Sequence, residues 1–409
     1  MSDEDSKYLD AKAEIDKSLV LGTYCMRQFG LTFVPPKNSY VYFRDKVMLI
    51  ISFMCILYHI SSEIIFIAIT LASSPKVEEI VPLFHTFGYG ALSIVKLFAL
   101  WSKREAFEQL LRDLVTIWPM PPMEPAAQKI KDNSLAALKF VHLCYFVTNL
   151  AGLWFYNLTP IVVYFYETYQ GLDAKFGFIW TSWYPFDKYS TVGHTVVYIF
   201  EIFAGVTCVW AMIGTDLLFT AVASHVCMLL RLLHQRLQTL APEGPQDDEA
   251  NYHHIVENIK LHQRLIKYCM ELENAFTFVN LVNIVFSSVN ICCVVFVIVL
   301  LEPLLVVSSK LFLASCLVQI GIICWYSDDI FHANADVGLH AYNSGWFRTE
   351  PKCRKILVFL IKRSQKPIAL TAMKFTNMNL MTYSAILTRS YSYFALLYTM
   401  FNDNVSAGK

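Results

Sequence analysis

Residues 276–326 read FTFVNLVNIVFSSVNICCVVFVIVLLEPLLVVSSKLFLASCLVQIGIICWY: two apolar runs separated by little more than Glu302-Pro303, with Lys310 their one cation. Each run, 276–301 and 304–326, is long enough as a helix to cross the roughly 30 Å of bilayer hydrocarbon. So short a connection forces an antiparallel hairpin. Five further stretches have the same character, at 47–72, 82–100, 137–166, 191–222 and 377–400. A helix satisfies its own backbone hydrogen bonds in lipid. The expected fold is therefore all-α, a polytopic membrane protein with seven transmembrane helices.

The Lys and Arg residues set its orientation. The arm 1–46 carries 7, and the gaps 101–135, 223–275 and 327–376 carry 5, 5 and 8, together 25 of the chain's 33. The opposite gaps and the tail carry 4. Positive charge stays inside, so the N-terminus is expected in the cytoplasm and, after an odd number of spans, the C-terminus outside. The expected organisation is a cytoplasmic arm (1–46), spans one to four (47–222), a cytoplasmic helical extension (223–275), spans five and six (276–326), a cytoplasmic anchor segment (327–376), the last span (377–400) and an extracellular tail (401–409). The tail holds the sequon Asn404-Val405-Ser406.

A chain of 409 residues that is 56% hydrophobic and 16% charged, with mean hydropathy +0.43, belongs to the membrane class rather than to soluble domains. Its basic gaps suit an anionic lipid leaflet and contain no block suited to nucleic acid. The first 46 residues have no apolar core, so the first span is expected to be its own insertion signal. None of the eleven cysteines falls in the expected outer loops 73–81, 167–190 and 302–303, which argues against extracellular disulfides.

The inner connections are long. Spans three and four exceed the bilayer minimum by about ten residues each and are expected to project into the cytoplasm. Segment 223–240 continues as helix with Leu229, Leu230, Leu233 and Leu237 on one stripe, until Pro242-Glu243-Gly244-Pro245 and Asp247-Asp248-Glu249 break it. Segments 252–275 and 331–366 also read as helix, the second ending at Lys366-Pro367.

No catalytic or cofactor motif is present. His253, His254 and His262 are spaced by 1 and 8, which does not bring three imidazoles to one metal. The intramembrane charges are Glu63, Glu201, Asp216, Lys310 and Arg389; such groups face a partner or a cavity. Glu63 is expected to bond His59 one turn back, Lys96 to snorkel to the inner interface, and Lys310 to pair with Glu201. A polar stripe on the fifth span, Asn280, Asn283, Ser287 and Asn290, fits either helix–helix glue or a water-filled vestibule. On the last span Ser384, Thr388, Ser392 and Thr399 share one face with Leu396 beside them, while Phe394, Leu397 and Tyr398 lie on the bulky side. That face fits ordinary packing or a pore gated by dewetting. Aromatics crowd the outer halves of spans two to four: Phe84, His85, Phe87 and Tyr89; Trp154, Phe155, Tyr156 and Asn157; His194, Tyr198 and Phe203. These fit a small apolar ligand pocket or an interfacial aromatic belt.

Trp346, Gln365-Lys366-Pro367, Ala385-Ile386-Leu387 and Ser390-Tyr391-Ser392-Tyr393-Phe394 resemble the closing signature of insect odorant receptors. The resemblance extends in weaker form over the whole chain. It implies a ligand-gated, non-selective cation channel of four subunits, whose cytoplasmic helices form a shared anchor and whose last spans line one pore. The related gustatory receptors end in a Gln-Phe pair, where this chain has Thr399-Met400. That departure makes a gustatory-type channel the alternative reading. The gap 223–275 lacks the long insertion of the family's co-receptor, so the chain resembles a tuning subunit that assembles with the co-receptor in a tetramer of the plasma membrane, in dendrites of olfactory neurons.

The resemblance places a small volatile odorant in the outer half of the bundle, among spans two, three, four and six. Aromatic content and depth there select Phe84, Phe87, Thr148, Trp154, Tyr198 and Ile202. It also places the pore constriction on Leu396 and a polar pore residue on Thr399, with Ser392 and Met400 alongside. A G-protein-coupled receptor is disfavoured by the inner N-terminus and by the lack of Asp-Arg-Tyr after the third span. A secondary transporter is disfavoured by the lack of internal repeats.

Overall fold

The computed structural model describes residues 3–33, 39–73, 77–172, 174–240, 248–300 and 306–407. Eleven α-helices follow one another among these: α1 (Asp3–Ser18), α2 (Val20–Gln28), α3 (Ser39–Ala72), α4 (Val77–Ser102), α5 (Arg104–Ile117), α6 (Pro125–Tyr169), α7 (Thr191–Gln238), α8 (Asp248–Leu300), α9 (Val306–Tyr342), α10 (Pro351–Ser364) and α11 (Leu380–Ala407). The Glu302-Pro303 connection, the break at 242–247 and the sequon side chains lie outside the described residues.

Six helices, α3, α4, α6, α7, α8 and α9, are long and apolar enough to cross a membrane. α11 spans 28 residues but carries Ser384, Thr388, Arg389, Ser390 and Ser392 through its middle, a polar load that keeps it out of that set. The protein is an all-α polytopic membrane protein. α6, α7 and α8 run for 45, 48 and 53 residues, and at about 1.5 Å per residue each far exceeds the bilayer core. Each therefore continues as helix beyond the length that a bilayer takes up.

α7 is the axis of the fold. Every residue from Ala211 to Leu230 is buried, because α2, α4, α6, α8 and α9 all pack on this helix. The N-terminal arm is thus part of the core and not a free tail. α2 lies so close that a Cβ on Gly214 would stand 2.3 Å from the Met26 Cε. The arm is fixed further by Glu14, which accepts the Trp118 indole N–H at 2.7 Å and pairs with Lys131 at 2.5 Å.

The segment 331–366 is two helices rather than one. α9 stops at Tyr342, the chain turns through Trp346–Arg348, and Glu350 is extended (ψ 155°) before Pro351 opens α10, as a residue preceding proline must be. A two-residue antiparallel pair, β1 (Thr371–Ala372) with β2 (Thr376–Asn377), then leads into α11. Glu273 of α8 holds this hairpin by accepting the Thr371 N–H at 2.7 Å and the Thr371 hydroxyl.

Candidate ligand cavity and pore face

The outer half of the bundle encloses a cavity of about 40 Å³. α4 supplies Thr86 and Tyr89, α6 supplies Asn149, Gly152, Leu153 and Tyr156, α7 supplies Val209, and α9 supplies Phe312 and Ser315. Trp180, from the connection between α6 and α7, closes it. Tyr89 meets Phe312 edge-on at 5.1 Å. The walls are apolar and aromatic with a few placed polar groups, the composition of a small-molecule site.

The polar groups continue inward. Ser315 Oγ donates to Asn149 Oδ1 at 2.6 Å, and Asn149 Nδ2 donates to the Tyr145 carbonyl at 2.8 Å. The Tyr145 hydroxyl donates to Asp216 at 2.9 Å, Gln319 Nε2 donates to the same carboxylate at 3.0 Å, and Lys96 Nζ donates to its other oxygen at 2.6 Å. Lys96 is wholly buried, so it does not snorkel. Asp216 lies 120 residues on and supplies the counter-charge that makes this burial tolerable.

The outer connection is built into the bundle. Glu201 of α7 is fully buried and accepts the main-chain N–H groups of Ile179 at 2.8 Å and Trp180 at 3.2 Å and the Tyr184 hydroxyl at 3.1 Å. Its carbonyl accepts the Trp180 indole N–H at 3.1 Å. The expected pairing with Lys310 is therefore corrected: Lys310 is exposed, and the connection itself occupies the carboxylate. His59 and Glu63 do approach, but at 3.9 Å, a contact longer than a hydrogen bond. A second cavity of about 190 Å³ lies against Pro82, Thr159, Pro160, Phe178, Ile179 and Thr181, and shares Thr86 and Tyr156 with the first.

None of the six ligand residues named from sequence lines either cavity. Helical phase explains this. Trp154 is turned about 100° from Leu153 and about 200° from Tyr156, and it stands 46% exposed on the bundle surface. Phe84 is likewise exposed. Phe87, Thr148 and Ile202 are half-buried, and Tyr198 donates its hydroxyl to the Asn157 carbonyl at 2.6 Å. Sequence reasoning missed Asn149, Ser315, Phe312 and Trp180. Polar Asn149 and Ser315 in apolar stretches were one available signal; the aromatic run Phe178-Ile179-Trp180 in a loop was another.

The polar stripe of α8 is buried within the chain, and Asn280 donates to the Thr371 carbonyl at 3.4 Å. It serves helix packing. On α11, Ile386 and Ser390 are buried, with Ser390 donating to the Ser288 carbonyl of α8 at 3.1 Å. Phe394, Leu397 and Phe401 pack on a cluster of Val81, Cys293 and Phe296. The opposite side is open: Ser384, Thr388, Ser392, Leu396, Thr399 and Met400 are all exposed in the single chain. Ser392 and Thr399 donate to carbonyls four residues back, at 3.0 Å each, which caps their polarity without a partner helix.

Three buried histidines lie in the helical body formed by the extensions of α7 and α8. Burial, with a smaller contribution from His142, holds His225 down at about 3; its ring bonds the Ser18 hydroxyl at 3.0 Å. Burial and the neighbouring His340 hold His234 at about 4, and burial with Arg363 does the same for His262. His234 stacks on His340 with ring centroids 4.3 Å apart. Among the described residues no group of His, Cys, Asp and Glu is arranged to hold a metal.

A family model described as 7tm Odorant receptor matches residues 76–391. The chain is 25% identical to Odorant receptor 67c of Drosophila melanogaster over 371 residues, 88% of this chain and 89% of that protein. It is 26% identical to Odorant receptor 85c of the same species over 342 residues, 83% and 87% of the two. Among solved structures, the olfactory receptor OR5 of Machilis hrabei in complex with eugenol superposes with a TM-score of 0.81 at 15% identity, covering 96% of this chain and 99% of that one.

Proposed function

Because this chain belongs to the 7tm odorant receptor family, ligand-gated channels rather than enzymes, we propose that it is the odorant-binding subunit of a non-selective cation channel. One observation carries the reading: a single chain holds an enclosed aromatic cavity in its outer half and leaves a hydroxyl-lined face of its last helix without a partner. The first suits a small volatile, and the second suits a pore completed by other subunits. The complex of the Machilis receptor with eugenol supports a ligand of that size.

In this reading the odorant sits over Tyr89, Asn149, Tyr156, Phe312 and Ser315. Phe87, Thr148, Tyr198 and Ile202 stand behind that wall, half-buried, and Phe84 and Trp154 act from the outer surface. Leu396 is this subunit's share of a dewetting constriction, with Ser392, Thr399 and Met400 wetting the pore on either side. The chain assembles with co-receptor subunits into a tetramer, in the plasma membrane of sensory dendrites. The test is current recording in receptor-null cells against a panel of volatiles, with and without the co-receptor. A ligand-evoked cation current that needs this chain is expected. Absence of such a current from cells displaying the protein at their surface overturns the reading.

A further inference from the structure

Two cavities lie side by side in the outer half of the bundle. The enclosed one is the smaller, about 40 Å³. The outer one is about 190 Å³. Both use Thr86 and Tyr156 as walls. Between them runs the outer connection, with Phe178, Ile179 and Thr181 facing the larger space and Trp180 facing the smaller.

We propose that Trp180, which comes from this connection and not from a membrane helix, sets the largest ligand the receptor admits, and that Glu201 is its positioning residue. The inference rests on the enclosed cavity being the ligand site.

The indole is held on each side. It stacks on Tyr156 at 5.0 Å and meets His59 edge-on at 5.3 Å. α7 admits it because residue 205 is glycine: a Cβ there would stand 3.1 Å from the indole Cζ2. Glu201 then fixes both the main chain and the ring, through the Ile179 and Trp180 N–H groups on its carboxylate and the indole N–H on its carbonyl. The carboxylate is fully buried and its three bonds all go to the connection, so its work is to hold this segment down. A ligand that shifts this ring enlarges the inner space. Removing the ring enlarges the inner space on the side of the connection.

The test uses the full chain with its co-receptor in receptor-null cells, a surface tag to normalise expression, and as probes a series of straight-chain acetates of increasing length. In Trp180→Ala the longest active acetate should lengthen by two carbons or more, and the shortest should lose about tenfold in potency because dispersion contacts disappear. Trp180→Phe should fall between. Glu201→Leu keeps much of the bulk but removes the acceptor of the Ile179 and Trp180 N–H groups; it should speed current onset and shift the length preference partway. Combined with Trp180→Ala it should add nothing, because it acts through the ring. Ser315→Ala, at the cavity floor, separates the two ideas. If it changes potency while Trp180→Ala and Trp180→Phe keep the parent's length preference, the size role of Trp180 is wrong. If none of the four variants alters any potency, the enclosed cavity is not the ligand site and both readings fall.

Discussion

The two ends of α7 pack in opposite ways. From Ala211 to Leu230 the helix is sealed on all sides, and the one ion pair there is complete, with Asp216 taking Lys96, Tyr145 and Gln319. Ten residues outward the same helix meets cavities, a loop folded in from outside and a glycine that makes way for an indole. The inner half is built to be one structure. The outer half keeps space that a guest can fill, and space costs packing energy. A receptor needs both, because the guest must change something that is otherwise well fixed.

The contrast is broken most forcefully at its boundary. Lys96→Met leaves Asp216 buried without its cation and should cost about 3–5 kcal/mol, read as loss of surface protein and of thermal stability in detergent. The double variant Lys96→Met/Asp216→Leu should recover most of it. Equal damage from both would show that the pair does more than cancel charge.

Acid should loosen the inner half next. His225, His234 and His262 sit below their ordinary value of 6.5, at about 3, 4 and 4, so the unfolded chain takes up protons first. Their contribution is intact above about 6.5 and is lost as pH falls toward 4, by about 1.4 kcal/mol per pH unit for each histidine. Melting curves between pH 7.5 and 5 should show it, and His234→Asn should flatten the slope by one proton. A pH-independent melting temperature would refute the assignment.

At the open face of α11, Leu396→Ser should raise resting current several-fold by easing water into the constriction. The effect is partial because other subunits complete the ring. Thr399→Lys should lower divalent permeation. Resting current and ion preference unchanged in both would remove this face from the pore. The smallest change is expected at Trp154, whose indole lies outside both cavities. Trp154→Ala should move odorant potency by less than about threefold, the scale of a lost surface contact; a larger shift would return it to the ligand site.

Much of the architecture was legible because hydrophobic length and charge asymmetry are properties of single segments. The long apolar helices and the two-faced last helix could be read that way. What depends on two distant segments could not. Lys96 looked like an interfacial cation until Asp216 appeared beside it, and Glu201 looked free for Lys310 until the 179–184 connection folded onto it. The cavity walls were hidden for a different reason: Leu153 and Trp154 are neighbours in sequence but about 100° apart around the helix, and only Leu153 faces the cavity. Phase around a helix decides which one a cavity sees, and no local composition reports it.

α6, α7 and α8 each run well past the thickness of a bilayer without interruption, at 45, 48 and 53 residues. A continuous helix carries phase along its length: deleting one residue turns everything beyond it by about 100° and shortens it by about 1.5 Å. Such a change would at once take Glu201 off the outer connection or Asp216 off Lys96. Heritable variation in these rods is thereby confined to substitution, and gains or losses of residues must collect in the connectors. Descendants of one ancestral gene can then diverge until few residues match and still superpose end to end, because the lengths between their turns were never free to drift.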